Sequence, residues 1–273
     1  MKYAICNETF QDWPFDRAFA FARQCGYTGI EIAPFTMARY ANDISPAQRS
    51  LVRKQAETAG LTVIGLHWLL AKTEGFYLTS PESTVRRRTA DYLSELARLC
   101  GDLGGSMMVL GSPQQRNLLP GVTKPQAMQL AADVISQAVP SLEQCGVTLA
   151  LEPLGAAEGD FLLTAAEGRE LIKLVNSSQV RLHLDCKAMA SESQPIPDII
   201  RANRDLMVHF HANDPNRQGP GMGTVDFVPI FAALKEIDWQ GWVSVEVFDY
   251  TPGIERLARE SIANMRRDEA AVR

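Results

Sequence analysis

The sequence predicts a closed (β/α)₈ barrel in a single domain. Along its 273 residues, short β-type runs alternate with amphipathic helical runs. Strict alternation of this kind implies a parallel sheet, because a helix has to carry the chain back between successive strands. Eight such units fit a closed barrel of about 250 residues. No Pro/Gly/Ser-rich linker interrupts residues 1–273, so we expect one domain over this range.

The predicted strands are short runs of apolar and β-branched residues that lie between turn signals. The Gly-Ile-Glu-Ile run at 29–32 and the valine-rich run at 242–247 are typical of them. In chain order the eight strands cover 3–6, 29–32, 61–66, 107–110, 147–151, 180–184, 206–210 and 242–247. Each strand then opens one repeat of the barrel, which is the arrangement of a TIM barrel.

The predicted helices carry recognisable start and stop signals. Ser45 can cap a helix that has Pro46 in its first turn and Gly60 at its end. Thr164 caps a later helix, with Glu167 three residues on. In chain order the helices cover 15–25, 46–59, 80–103, 124–145, 164–175, 197–202, 226–237 and 254–265. One helix therefore follows each strand.

Composition and charge narrow the function classes. Hydrophobic residues make up 46% of the chain and charged residues 22%, which is typical of a globular protein. The formal net charge is −5, so binding of nucleic acid would require a dense local basic patch. Arg86, Arg87 and Arg88 lie within a predicted helix and are interpreted as its solvated face. We therefore expect no nucleic-acid partner.

Cysteine usage indicates a reducing compartment. The five cysteines, at positions 6, 25, 100, 145 and 186, are odd in number and form no Cys-x-x-Cys pair. This argues against a disulfide framework and against a zinc ribbon. The N-terminus begins almost directly with a predicted strand, and no window of about 18 apolar residues occurs. We therefore expect a cytoplasmic protein without a membrane partner.

Four ligand-type side chains occur at the ends of the last four predicted strands. Because side chains alternate along a strand, the apolar set faces the outer helices and the other set faces the barrel interior. By this rule Val208 and Phe210 face the helices. The inward residues at the carboxyl ends of strands five to eight are Glu152, Asp185, His211 and Glu246. Adjacent parallel strands lie about 4.8 Å apart, so these four side chains can converge on one ion.

Three carboxylates and one imidazole form an oxygen-rich ligand set. Such a set predicts one divalent ion, Mn²⁺ first and Mg²⁺ or Co²⁺ as alternatives, whereas structural zinc prefers cysteine and histidine. The alternative interpretation is a group of polar residues that fill the barrel top through hydrogen bonds. An ion at this place would polarise the carbonyl of a small carbohydrate. Glu152 and Glu246 could then move protons as base and acid, which is the chemistry of isomerisation or epimerisation through an enediolate.

Other polar residues of the predicted strands are weaker candidates. His67 ends strand three and is either a substrate contact or a packed histidine. His183 and His209 are interpreted as hydrogen-bonding residues one layer below the ion. We expect Arg181, also inside the barrel, to pair with Glu31.

Several segments resemble a known group of enzymes. They are Leu-Glu-Pro at 151–153, Leu-His-Leu-Asp at 182–185, His-Phe-His-Ala-Asn-Asp-Pro-Asn-Arg at 209–217 and Val-Ser-Val-Glu-Val-Phe at 243–248. The chain resembles the sugar isomerase/epimerase superfamily of xylose-isomerase-like TIM barrels, particularly its ketose 3-epimerase and hydroxypyruvate-isomerase branches. The resemblance implies that Glu152 and Glu246 are both metal ligands and the acid/base pair. It further implies that Arg217 binds substrate oxygens and that Glu158 binds near the reacting end of the sugar.

One position departs from the pattern of these relatives, which usually carry a substrate-binding histidine three residues after the metal aspartate. Here that position is Ala188. The departure leaves a different ketose, a keto acid or an inositol derivative open as the substrate. Arg217 is the sole cation that the sequence places nearby, so we expect an unphosphorylated substrate and interpret the glycine-rich loop at 219–223 as a tight turn. Trp13, Phe35, Trp68 and Phe248 are candidates for an apolar wall.

Three other functions were weighed against a sugar isomerase or epimerase. A metal-dependent lyase on the same scaffold, such as an inosose dehydratase, is the main alternative, and only substrate assays separate the two. A DNA-repair endonuclease is disfavoured, because the chain has only four histidines and a net charge of −5. A binding protein is disfavoured by the presence of both Glu152 and Glu246. The sequence leaves a homo-oligomer open.

Overall fold

The computed structural model describes residues 1–272 and confirms a closed barrel of eight parallel strands. Each strand pairs with its sequence neighbours, and β8 pairs with β1 to close the barrel. The strands are β1 (Lys2–Cys6), β2 (Gly29–Ile32), β3 (Thr62–Leu66), β4 (Met107–Leu110), β5 (Thr148–Leu151), β6 (Val180–Asp185), β7 (Met207–Ala212) and β8 (Trp242–Val245). All eight predicted strands are therefore present, with bounds that shift by one or two residues.

Helices surround the barrel and connect successive strands. They are α1 (Phe15–Cys25), α2 (Pro46–Ala59), α3 (Ser83–Asp102), α4 (Lys124–Cys145), α5 (Ala165–Val175), α6 (Cys186–Met189), α7 (Ile196–Ala202), α8 (Val228–Glu236) and α9 (Ile254–Ala271). Eight of them correspond to predicted helices. The short helix α6, directly after β6, was not predicted from the sequence.

Hydrogen bonds to the predicted caps are present at the starts of α2 and α5, whereas α3 begins later than predicted. Ser45 accepts a hydrogen bond from the amide of Gln48, whose side chain bonds back to the Ser45 amide. Thr164 caps α5 through the amide of Glu167. Helix α3 begins at Ser83, later than the predicted start at residue 80. The Ser80 hydroxyl accepts from the Glu82 amide ahead of the helix, and Glu82 precedes Ser83 without a side-chain capping bond.

Strand β7 departs from simple alternation. Its pairing with β6 shifts register between Leu182 and His183, and Val208 is skipped in the pairing. Val208 packs against a small apolar cluster that is separate from the main core, so the prediction that it faces the helices is wrong. The members of that cluster are Met107, Val109 and Ala150. Phe210, beyond the bulge, lies in the main core as predicted.

Arg181 does not pair with Glu31, which corrects the sequence-based expectation. The Arg181 guanidinium donates to the carbonyls of Ser177 and Val180 at the amino end of β6. It lies one inward position below His183 along the strand, and it is half-buried rather than enclosed. Arg181 therefore lies too deep in the barrel to pair with Glu31, which bonds to histidines in the layer above.

Two further observations concern the environment of the chain. The five cysteines are free thiols, of which three are buried. Within residues 1–272, no helix is both long enough and apolar enough to cross a membrane.

Candidate metal centre and active site

The ends of β5 to β8 bring the four predicted ligands together. All four are buried, with exposed fractions of 7% or less. Potential ligand atoms of Glu152, Asp185 and His211 lie within 4.8 Å of one another, together with one from His183. Glu246 joins them through Oε2, which lies 3.1 Å from His211 Nδ1. Glu246 therefore adjoins this group through His211, and it also shares a separate group with Glu8 and His67.

Backbone and amide donors fix the orientation of Asp185. Its Oδ1 accepts from the amide of Ala188 at 2.8 Å, at the start of α6. Its Oδ2 accepts from the side chain of Asn213 at 2.6 Å. Both contacts come from the segments that follow β6 and β7. The sequence did not assign a role to Asn213, although it lies two residues after His211.

Glu152 is held by its own neighbours. Gly111, just after β4, leaves the space for its carboxylate, since a Cβ at Gly111 would lie 2.1 Å from Oε2. The fully enclosed guanidinium of Arg116 donates to the carbonyl of Glu152 at 2.7 Å. Burial lowers the pKa of Arg116 to about 10, which leaves it charged at neutral pH. The sequence analysis missed both residues.

Glu31 lies beneath this group and is bonded by two imidazoles. Its Oε1 is 2.8 Å from His209 Nε2 and 3.1 Å from His211 Nε2. A carboxylate on the second nitrogen of a ligand histidine fixes the orientation of the ring, as in many metal sites. Glu31 thereby leaves His211 Nδ1 for Glu246 and the centre.

The electrostatics of the upper carboxylates fit a divalent cation. Burial, reinforced by the charges of Glu246 and Asp185, raises the pKa of Glu152 well above its usual value. Burial also raises the pKa of Asp185 despite the nearby ammonium of Lys187. The anionic forms of Glu152 and Asp185 are therefore only partly compensated, whereas His211 outweighs burial at Glu246 and lowers its pKa. A hard divalent ion would supply the missing positive charge, and three carboxylates with one imidazole are donors that such an ion accepts.

His183 places one more imidazole beside the candidate centre, and its ring nitrogens are not engaged by the described residues. It is fully buried, and neither ring nitrogen has a hydrogen-bond partner among the described residues. Its Nε2 lies 3.8 Å from Glu152 Oε1. Burial, reinforced by the neighbouring imidazoles of His211 and His209, lowers its pKa well below the usual value, which favours the neutral ring. His183 was predicted to form hydrogen bonds below the ion, and it forms none with the described residues.

A cleft of about 360 Å³ opens above the centre. It is lined by all five residues that the sequence proposed for catalysis or substrate binding. They are Glu152, Glu246, Arg217, Glu158 and His67. Their common cleft is consistent with one small-molecule site.

Two partners of the substrate-binding candidates were missed from the sequence. His67 Nε2 lies 2.6 Å from Glu8 Oε2. The other ring nitrogen, Nδ1, is buried and has no hydrogen-bond partner among the described residues. Lys187 donates to Glu158 Oε2 at 2.6 Å and is only 12% exposed. Glu8 and Lys187 each lie two residues beyond the end of a strand, β1 and β6, which was the available signal.

The cleft has cations near it besides Arg217, which the sequence identified as the sole cation near the loop at 219–223. Lys72 also lines the cleft, and Lys187 lies 4.8 Å from the ring of Phe248. The loop at 219–223 forms a turn, as predicted, with the Gly221 amide donating to Asp214 Oδ2.

Aromatic residues form only part of the expected wall. Trp68 and Phe248 line the cleft, and their rings stack at 5.7 Å. Phe35 also packs against Trp68, with ring centroids 5.6 Å apart. Trp13 instead packs against Phe21 near α1, so its prediction as a wall residue is wrong.

The closed barrel and the family comparison define the class of this protein. Residues 19–268 match the family described as xylose isomerase-like TIM barrel, and the chain belongs to that family.

The relatives within this class are sugar epimerases. The chain is 30% identical to D-psicose 3-epimerase of Agrobacterium fabrum over 236 residues, which are 84% of this chain and 77% of that enzyme. It is 30% identical to 3-dehydro-D-guloside 4-epimerase of Escherichia coli over 255 residues, 90% of this chain and 92% of that enzyme. A crystal structure of D-psicose 3-epimerase in the presence of D-fructose superposes with a TM-score of 0.86 at 23% identity, covering 99% and 100% of the two chains. The last comparison concerns the fold alone.

Proposed function

We propose that this chain is a divalent-metal-dependent epimerase or isomerase of a small, unphosphorylated sugar or keto acid. The observation that carries the proposal is the position of Glu152 and Glu246. Both carboxylates line one cleft, and both border the same group of ligand atoms. A carbonyl compound in this cleft would therefore have a proton acceptor available from each of two residues.

The residues that would hold the ion are Glu152, Asp185, His211 and Glu246, with Mn²⁺ as the first candidate and Mg²⁺ or Co²⁺ as alternatives. When bound, the ion would supply Lewis-acid polarisation of the substrate carbonyl. Glu31 orients His211 through Nε2, and Asn213 orients Asp185 through Oδ2. The five free thiols support a reducing, cytoplasmic location as part of the same proposal.

The remaining cleft residues would bind the substrate. Arg217 offers donors for sugar oxygens, and no carboxylate of the described residues forms a salt bridge with it. Glu158 would accept from a hydroxyl, with Lys187 fixing its other side. His67 lines the same cleft, where Glu8 fixes its ring.

The names of two relatives suggest the reacting carbon. A ketose carries its carbonyl at C2, and a 3-dehydro sugar carries it at C3. A ketose 3-epimerase and a 3-dehydro sugar 4-epimerase therefore both invert the carbon next to the carbonyl. We propose that this chain does the same: one glutamate removes the proton from that carbon to form an enediolate, and the other returns a proton to the opposite face.

Solvent isotope exchange tests this proposal. The Mn²⁺-loaded enzyme is incubated in D₂O with a panel of ketoses, 3-dehydro glycosides and keto acids, and the products are analysed by NMR. We expect an epimer with deuterium at the carbon next to the carbonyl, because a carboxylate can exchange its proton with solvent. A product without deuterium would contradict the two-glutamate mechanism, and a product that has lost water would identify a lyase. Glu152→Gln and Glu246→Gln serve as inactive controls.

A further inference from the structure

Trp68 makes a direct contact with one of the two proposed acid/base residues. It follows β3, and its indole Nε1 donates to Glu246 Oε1 at 2.6 Å. The other oxygen, Oε2, lies 3.1 Å from His211 Nδ1. The two oxygens of Glu246 thus have different partners. Oε1 accepts from an aromatic residue of the cleft wall, and Oε2 contacts a histidine of the ligand group.

The indole ring packs against two other aromatic rings. It stacks on Phe248 with an interplanar angle of 20° and contacts Phe35 at 44°. Trp68 also has a φ of +53°, a left-handed conformation that is uncommon for a bulky residue. Such backbone strain persists only where the surrounding structure enforces it, and it concentrates at functional sites. Three other non-glycine residues that line the cleft, Lys72, Ser112 and Arg217, share positive φ values.

We propose that Trp68 is a positioning residue that holds Glu246 Oε1 through its indole N–H and so separates the roles of the two carboxylate oxygens. The proposal rests on the proposed function in so far as Glu246 transfers protons. Indole Nε1 is a donor only, so it orients the carboxylate without accepting the proton that Glu246 takes up. A histidine or a carboxylic acid at this place would compete for that proton.

The role of Trp68 predicts an effect on turnover rather than on binding. Loss of the bond would let Glu246 rotate away from its productive orientation, while Arg217 and Glu158 would still bind the sugar. A bond from a neutral donor to a charged acceptor corresponds to a factor of about 10 to 100 in rate if it is fully expressed in the reaction. We expect kcat to fall by that factor, with KM changed less than threefold.

The test compares Trp68→Phe with Trp13→Phe in the full-length protein. Phenylalanine keeps an aromatic ring between Phe35 and Phe248 but removes the N–H. Trp13 lies outside the cleft, so its replacement controls for the loss of one of the four tryptophans. Both variants are titrated with Mn²⁺ alone while intrinsic fluorescence is recorded, and kcat and KM are then measured on the substrate found in the panel.

The expected result is a Mn²⁺-dependent fluorescence change that Trp13→Phe retains and Trp68→Phe loses, together with a fall in kcat for Trp68→Phe only. A fluorescence change that survives in Trp68→Phe, or an unchanged kcat, would overturn the proposal. An effect on KM alone would identify a packing residue of the wall.

The test can still refute the proposal if Trp68→Phe does not fold or if no substrate is found. If Trp68→Phe does not fold, as judged by circular dichroism, benzothienylalanine at position 68 replaces the N–H by sulfur in a ring of nearly the same shape, and the same results are expected. The Mn²⁺ titration needs no substrate. A fluorescence change that depends on Trp68 in a protein that turns over no sugar would therefore refute the proposed function while retaining the contact with the ligand group.

Discussion

Asp185→Asn is expected to weaken the stabilisation of this protein by Mn²⁺. Asp185 is 1% exposed, and each of its oxygens already accepts one hydrogen bond, from the Ala188 amide and from Asn213. Asparagine replaces one acceptor by an NH₂ donor, so one of these two donors loses its acceptor in either orientation. The substitution also removes one of the three carboxylate charges that face the proposed ion. Affinity should fall although the size of the side chain is preserved.

Ligand linkage gives the expected size of the effect. An ion at 100 times its Kd stabilises the folded state by about 2.7 kcal/mol. If Asp185→Asn raises the Kd about 100-fold, the same concentration equals the new Kd and stabilises by only about 0.4 kcal/mol. The difference of about 2.3 kcal/mol corresponds to about 5 °C in Tm for a chain of this length.

Thermal unfolding with and without Mn²⁺ measures this difference. The quantity compared is the rise in Tm on adding the ion to EDTA-treated protein, so a change in the stability of the metal-free state does not enter. Asp226→Asn is the matched control, because Asp226 is exposed and contacts the start of α8 instead of the cleft. An equal rise in Tm for wild type and Asp185→Asn would refute the assignment of Asp185 as a ligand.

Four further substitutions separate the roles of other residues. Glu246→Gln should keep the fold, judged by circular dichroism, but lower kcat by about 10²–10⁴, measured by initial rates on the panel substrate. Arg217→Ala should lower kcat/KM about 10–100-fold with metal content unchanged, whereas loss of metal by elemental analysis would show a structural role. Gly111→Ala should displace Glu152 and lower both activity and metal content, since its Cβ would lie 2.1 Å from Oε2. Ser45→Ala should cost about 1 kcal/mol of unfolding free energy in urea, with specific activity retained.

The barrel could be predicted because its signals are local. A strand of four to six residues and a capped helix each show in a short window, and the capping chemistry at Ser45 and Thr164 placed two helix starts correctly. The bulge at Val208 could not be predicted in this way. A bulge changes which face a side chain takes, but it depends on the pairing with β6 rather than on the sequence of β7 alone.

The convergence of the four ligand-type residues was predictable for a related reason. In a parallel barrel every strand ends on the same side, so position at a strand end is enough to place Glu152 or Glu246 in the common cleft. Contacts between loops lack such a rule. The bond from Trp68 to Glu246 joins residues 178 positions apart, and the pair of Lys187 and Glu158 joins α6 to the loop after β5. Neither pairing has a sequence spacing that could reveal it.

The pKa values of the carboxylates inside the barrel shift in opposite directions. Burial disfavours the charge of Glu31, but the imidazoles of His209 and His211 outweigh it and hold the pKa of Glu31 well below its usual range. At the strand ends, burial with neighbouring carboxylates raises the pKa of Glu152, whereas His211 outweighs burial at Glu246 and lowers its pKa. Because His211 contacts Glu31 through Nε2 and Glu246 through Nδ1, one imidazole compensates a carboxylate on β2 and another after β8. The negative charge that the chain's own cations compensate least therefore lies at Glu152 and Asp185, at the ends of β5 and β6, where a bound divalent ion would compensate it.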